Sequence, residues 1–171
     1  MARVLIFCLL VGAVAMWGPV PKSAGQAAAP IVFVANLSTF EEVPAVQPQT
    51  PVNATGAAAI LFDPSTNRVT VSVAFTGLSS RPRGGHFHRA AAGVAAPAAL
   101  TICGPPAPSP GPCPNATSGF INTTITVPAG VQRNIITPEA FVQALMDGGL
   151  YLNLHTDLNL GGEIRGQVLA R

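Results

Sequence analysis

Charge is what this sequence has least of. Only 9% of its residues are Asp, Glu, Lys or Arg, and Lys22 is the single lysine. The other basic residues are scattered arginines, so the basic face that grips nucleic acid is missing. Aromatic residues are scarce as well, at 6%, with one Trp and one Tyr. No CxxC spacing occurs, nor any GxSxG, HExxH or P-loop signature. The familiar cysteine-zinc, serine-hydrolase, zincin and nucleotide-binding patterns are therefore excluded. Beyond residue 17 no long apolar run exists, which excludes a polytopic membrane protein.

Apolar and turn-forming residues are what the chain has in quantity. Hydrophobic residues make up 49% of the 171, ample for one core and the reverse of a disordered composition. Glycine and proline number 17 each, a share that argues against a helical bundle.

The N-terminus reads as a targeting segment. Arg3 supplies a positive charge, Val4 to Trp17 is uncharged and mostly apolar, and small residues follow at Ser23-Ala24-Gly25 and Ala27-Ala28-Ala29. That is the three-part pattern of a secretory signal peptide, placed here at residues 1–25. The competing reading is an uncleaved anchor, but the run is shorter than the ~20 residues a spanning helix needs. Residues 26–171 then form the mature domain. Loss of Arg3 and Lys22 leaves seven basic and seven acidic residues, so no general attraction to nucleic acid or anionic lipid remains. The expected location is secreted or periplasmic.

Cys8 leaves with that segment, and Cys103 and Cys113 remain. They flank the proline-rich Gly104–Pro112 stretch, and two cysteines in an exported chain are expected to form a disulfide. Closing so short a loop contributes on the order of 2–3 kcal/mol. The sequons at Asn36, Asn53, Asn115 and Asn122 matter only in a host that glycosylates exported proteins.

Strand patterns dominate the mature chain. Val69, Val71, Val73 and Phe75 share a face at a period of two, and Gly56 to Gly77 reads as a hairpin. Ile31–Phe40, Gly84–Arg89, Phe120–Val127, Leu150–His155 and Glu163–Leu169 are further strands. Ala90–Leu100 is ambiguous. Thr137-Pro138-Glu139 opens one short helix, with Gly148-Gly149 at its end. Seven or eight strands and one helix predict an all-β fold, an antiparallel Greek-key sandwich or flattened barrel.

The three histidines all lie in strand contexts. In His86-Phe87-His88 the two imidazoles share one face and Phe87 takes the other, presumed core side. In Leu150 to His155 the leucines face inward, so Tyr151, Asn153 and His155 project outward. Glu163, Arg165 and Gln167 project outward from the last strand. Two imidazoles at i, i+2 plus a third from a neighbouring strand suit a copper or zinc ion, with copper bound the more tightly. Solvated or strand-bridging histidines would give the same pattern. Arg81, Arg83 and Arg89 flank the pair, and no acidic residue lies between Asp63 and Glu139. They form either a field that steers small anions or three solvated loop arginines. Arg165 and Arg89 are the candidates to meet an anion or to buttress the ligands. Asp157 and Glu163 read as loop-fixing residues, with Glu163 set to pair with an arginine.

The order of these motifs resembles the CHRD (chordin) domain in its bacterial single-domain form. The resemblance rests on Phe33–Leu37, Glu42-Val43-Pro44, Gly56-Ala57-Ala58, Gly77-Leu78, His86-Phe87-His88 with Gly93-Val94, Leu150–Thr156 and Gly161–Val168. It departs from the family's usual pattern at Arg89-Ala90 and Leu160, and the Cys103–Cys113 loop resembles an insertion. The resemblance implies a β-sandwich; chordin itself is an extracellular antagonist, which points to protein interaction. The pattern is also distantly similar to Cu/Zn superoxide dismutase barrels. There a His-x-His strand and a later strand histidine hold copper, as His86, His88 and His155 would in order and facing. That family's bridging histidine has no counterpart here, so its metal pair is not implied. Two functions follow: an exported domain holding a copper-like ion, or a non-enzymatic extracellular interaction or matrix module without metal. No catalytic residue is assigned, and the balance leans away from an enzyme.

Overall fold

A computed structural model describes residues 28–46, 53–127 and 137–171. The proposed targeting segment at 1–25 lies outside the described residues. Nine strands are described: β1 (Ile31–Ser38), β2 (Thr55–Asp63), β3 (Arg68–Thr76), β4 (Pro82–Arg89), β5 (Ala98–Cys103), β6 (Gly119–Thr126), β7 (Leu150–Thr156), β8 (Ile164–Gln167) and the short β9 (Leu169–Ala170). An α-helix, α1 (Pro138–Met146), precedes β7, and a 3-10 turn, Thr39–Glu41, follows β1.

The strands form one antiparallel sheet in the order β5-β4-β7-β8-β1-β2-β3-β6, with β9 beside β1. The sheet curls until its end strands, β5 and β6, approach each other, giving a nearly closed flattened barrel. β3 pairs with β6 across the long connection that contains β4 and β5, the overhand step of a Greek key.

Alternation decides which side chains fill the barrel. Phe33, Leu37, Ile60, Val71, Phe87, Leu100, Leu152 and Leu154 point inward and are buried. Each such side chain contributes ~1.5–3 kcal/mol by leaving water. Helix α1 closes one end. Thr137 caps it by accepting from the Ala140 N–H (3.1 Å), Pro138 occupies its first turn, and Phe141 meets Phe87 edge to face at 5.7 Å. The β2–β3 hairpin, the helix and the final pair of strands match the expectation from pattern.

β5 is the exception. It emerges from the stretch that sequence left ambiguous, because Ala98-Ala99-Leu100-Thr101-Ile102-Cys103 is covered on both faces and shows no alternation. Leu100 enters the core opposite Phe87, while Thr101 lies beside His86 on the other face and donates to the Pro106 carbonyl at 2.8 Å. Cys103 and Cys113 are disulfide-bonded, and the proline-rich loop between them lies over the seam between β5 and β6.

Candidate metal centre

β4 and β7 are neighbours, and their register sets the site. His86 stands opposite Asn153, His88 opposite Tyr151, and Gly84 opposite His155. His155 is thus diagonal to His86, within reach on the same face. Gly84 is part of the geometry, since a Cβ there would meet the His86 ring at 2.7 Å. The imidazole centroids lie 4.8 Å (His86–His155), 5.4 Å (His88–His155) and 5.6 Å (His86–His88) apart.

All three rings point away from the barrel core, as alternation requires, but they do not reach open solvent. His86 and His88 are 7% and 5% exposed, and His155 is partly buried. The cover includes main chain from three separate loops, and each loop accepts a hydrogen bond from one ring. The Pro105 carbonyl lies 2.6 Å from His86 Nε2, the Ala96 carbonyl 2.8 Å from His88 Nδ1, and the Leu160 carbonyl 3.0 Å from His155 Nδ1.

A carbonyl only accepts, so these contacts fix the tautomers. His86 carries its proton on Nε2; His88 and His155 carry theirs on Nδ1. The lone pairs then sit on His86 Nδ1, His88 Nε2 and His155 Nε2. His88 Nε2 and His155 Nε2 face each other at 3.3 Å with no hydrogen between them. His86 Nδ1 is buried without a hydrogen-bond partner. Unpaired buried acceptors cost ~1–3 kcal/mol each, and a cation among them removes that cost. One ligand atom from each ring falls within 4.8 Å of the other two. Bonds of ~2.0–2.1 Å at tetrahedral angles need ligand separations of about 3.4 Å, so a pair at 4.8 Å has to close by about 1.4 Å. The donor set, three neutral imidazole nitrogens, suits copper or zinc.

Burial also keeps the rings neutral. It pushes His88 down to about 4, and His155 to about 3 with help from the two neighbouring imidazoles. His86 is lowered by the same burial. The ligand nitrogens are therefore free of protons at ordinary pH.

Behind the site, Arg165, Tyr151 and His88 form a stack. The Arg165 guanidinium carbon lies 3.5 Å from the Tyr151 ring centroid, and the Tyr151 and His88 rings are 4.7 Å apart and nearly parallel. Arg165 is the outward, hydrogen-bonded structural residue that its strand position suggests, but it does not reach solvent. It is buried, and its Nη2 donates to the Ala91 (3.2 Å) and Val94 (3.0 Å) carbonyls. Tyr151 Oη accepts from the Ala96 N–H at 3.1 Å. The stack thus holds the same 90–97 loop whose Ala96 carbonyl orients His88. Arg89 sits exposed at the end of β4.

The neighbouring acids do two different jobs. Asp157 binds Arg81 (2.7 Å) and Arg83 (3.2 Å), which offsets the positive field expected beside the histidine pair. Among the described residues Glu163 pairs with no arginine. It is buried and accepts from Ser79 N–H (2.6 Å), Thr156 Oγ1 (2.6 Å) and Asn159 Nδ2 (3.1 Å), so it ties the 157–163 loop to residue 79. Glu42 was no site candidate. Its carboxyl is buried beside Asn153 Nδ2 (3.2 Å), and burial pushes its pKa up to about 8 against the opposing effects of Asn153 and Arg165. Gly162 permits that approach, because a Cβ on it, at φ +129°, would strike Asn153 and Glu42.

These shifts give stability a defined pH dependence in the metal-free protein. The histidines have folded values below the ordinary 6.5, so the unfolded chain takes up protons first and stability falls as pH drops below 6.5 toward 4 and 3. Glu42 has the opposite sign: its contribution is complete below the ordinary 4.5 and is lost as pH rises through about 8. Urea midpoints measured with a chelator present are expected to peak near pH 6.5 and to fall more steeply on the acid side. Glu42→Gln is expected to flatten the alkaline decline; an unchanged decline would refute the role given to Glu42.

The CHRD domain family matches residues 33–168, nearly the whole of the described chain. The chain therefore belongs to the CHRD domain family. No curated protein and no solved structure matches it.

Proposed function

Proceeding from that membership, we propose that this CHRD domain is exported and holds one copper ion through His86 Nδ1, His88 Nε2 and His155 Nε2. The observation that carries the reading is the set of carbonyl contacts from Pro105, Ala96 and Leu160, which leaves one unprotonated nitrogen on each ring of a buried cluster whose ligand atoms lie within 4.8 Å of one another. Neutral imidazoles and the usual divalent affinity order favour copper over zinc. Three protein ligands leave a coordination position for an outside molecule. The work of this chain is to bind, orient and desolvate the ion. Export rests on the pattern of residues 1–25; among the described residues no helix is long and apolar enough to cross a membrane.

The test is equilibrium dialysis of metal-free protein against micromolar Cu(II), with Zn(II) in competition. One equivalent of copper per chain, retained against equal zinc, is the expected result. Failure to take up either metal would overturn the reading and leave the interaction module as the alternative.

A further inference from the structure

The histidine cluster forms the floor of a cleft of about 390 Å³. Its walls include Val43, Pro44, Ala95, Pro97, Pro105 and Leu160, all aliphatic or ring carbon. Several of the polar atoms nearby are already engaged. The Pro105, Ala96 and Leu160 carbonyls accept hydrogen bonds from the imidazoles, the Tyr151 hydroxyl is bonded to Ala96, and Arg83 at the rim pairs with Asp157. What the cleft still offers is apolar wall and, at its base, the imidazole lone pairs of the histidine cluster. His86 Nδ1 is closed off from solvent, so the lone pairs within reach of a ligand are those of His88 Nε2 and His155 Nε2.

We propose that this cleft binds a phenol: one aromatic ring bearing a hydroxyl, seated ring-outward with its oxygen on the histidine floor. The inference deepens the copper reading but does not depend on it entirely. With the ion absent, a phenol O–H donates to a free imidazole lone pair. With the ion present, the same oxygen takes the open coordination position. A sugar or polyol has several hydroxyls and would find no partners for the rest, at a cost for each buried group. Size agrees, since a dry cavity of ~150 Å³ is enough for benzene and this one is larger and partly open. Small sites of this kind, apolar with a few convergent polar atoms, are the usual form of ligand pockets.

p-Cresol is the probe and glycerol the polar control. In metal-free protein, p-cresol at millimolar concentration is expected to shift the NMR signals of the His88 and Tyr151 rings and the Ala96 amide, with no such shifts from glycerol. In copper-loaded protein it is expected to produce a visible phenolate-to-copper absorption band. Ala95→Trp, which fills the cleft from an exposed wall position, is expected to weaken binding by about tenfold or more. Absence of shifts in the metal-free protein, equal shifts with glycerol, or full binding in Ala95→Trp would each overturn the proposal. Shifts from p-cresol in a protein that takes up no copper would uphold the cleft and overturn the metal; copper uptake without cresol binding would do the reverse.

Discussion

Replacing His155 by alanine is expected to abolish tight copper binding while the domain still folds. The substitution removes one of three lone pairs and leaves only the Leu160 carbonyl without its donor. That carbonyl lies in a surface loop whose Leu160 side chain is exposed, so water replaces the lost partner at little cost. Affinity should suffer far more. Losing an outer partner of a metal ligand costs ~10–100-fold, and losing a ligand should cost at least the upper end of that range. His86→Ala should match it in affinity, and His88→Ala should also lose the stack on Tyr151 and destabilise the fold. Copper titration of the three variants beside their thermal unfolding separates the two effects. Copper binding retained at full affinity in His155→Ala would contradict the site.

The second large effect is on stability, at Arg165. Arg165→Ala removes a buried guanidinium that covers Tyr151 and satisfies the Ala91 and Val94 carbonyls. Hydrogen bonds to a charged group typically contribute ~1.5–3 kcal/mol, and this change adds a cavity. Arg165→Lys should recover little, because an ammonium is a point donor and cannot lie flat on the ring while reaching both carbonyls. Arg165 acts on the metal only through Tyr151 and the 90–97 loop. Its variants should therefore speed amide exchange at Val94, whose N–H bonds to the Ala91 carbonyl, and weaken copper binding together. Chemical denaturation gives the first number and hydrogen exchange the second. A loss of stability below about 1 kcal/mol would remove Arg165 from the structural account.

The sequence made some of this visible and hid the rest for identifiable reasons. Facing was legible because strand alternation is strict: Phe87 and the leucines of β7 are inside, and the imidazoles are on the far side. Burial was not. Each ring is covered by a carbonyl, and main chain has no signature in a list of side chains. Pro105 lies 19 residues from His86 in sequence, so only the fold brings the pair together. The same gap explains Arg165, which alternation put outside and the 90–97 loop then buried. Glu163 was expected to seek an arginine and instead gathers hydroxyls, an amide and a main-chain N–H from residues 79, 156 and 159. β5 was unreadable because both its faces are covered, which erases the period of two. Tyr151 was placed outward by pattern, yet nothing in its spacing announced that it would lie between a cation and a metal-ligand candidate.

The most direct measurement is electron paramagnetic resonance of the Cu(II)-loaded protein, with its nitrogen hyperfine lines compared between unlabelled and 15N-histidine protein. Three equivalent-strength imidazole nitrogens, reduced to two in His155→Ala, are the expected result. A spectrum with one histidine nitrogen or none, unchanged by that substitution, would contradict the centre assigned to His86, His88 and His155.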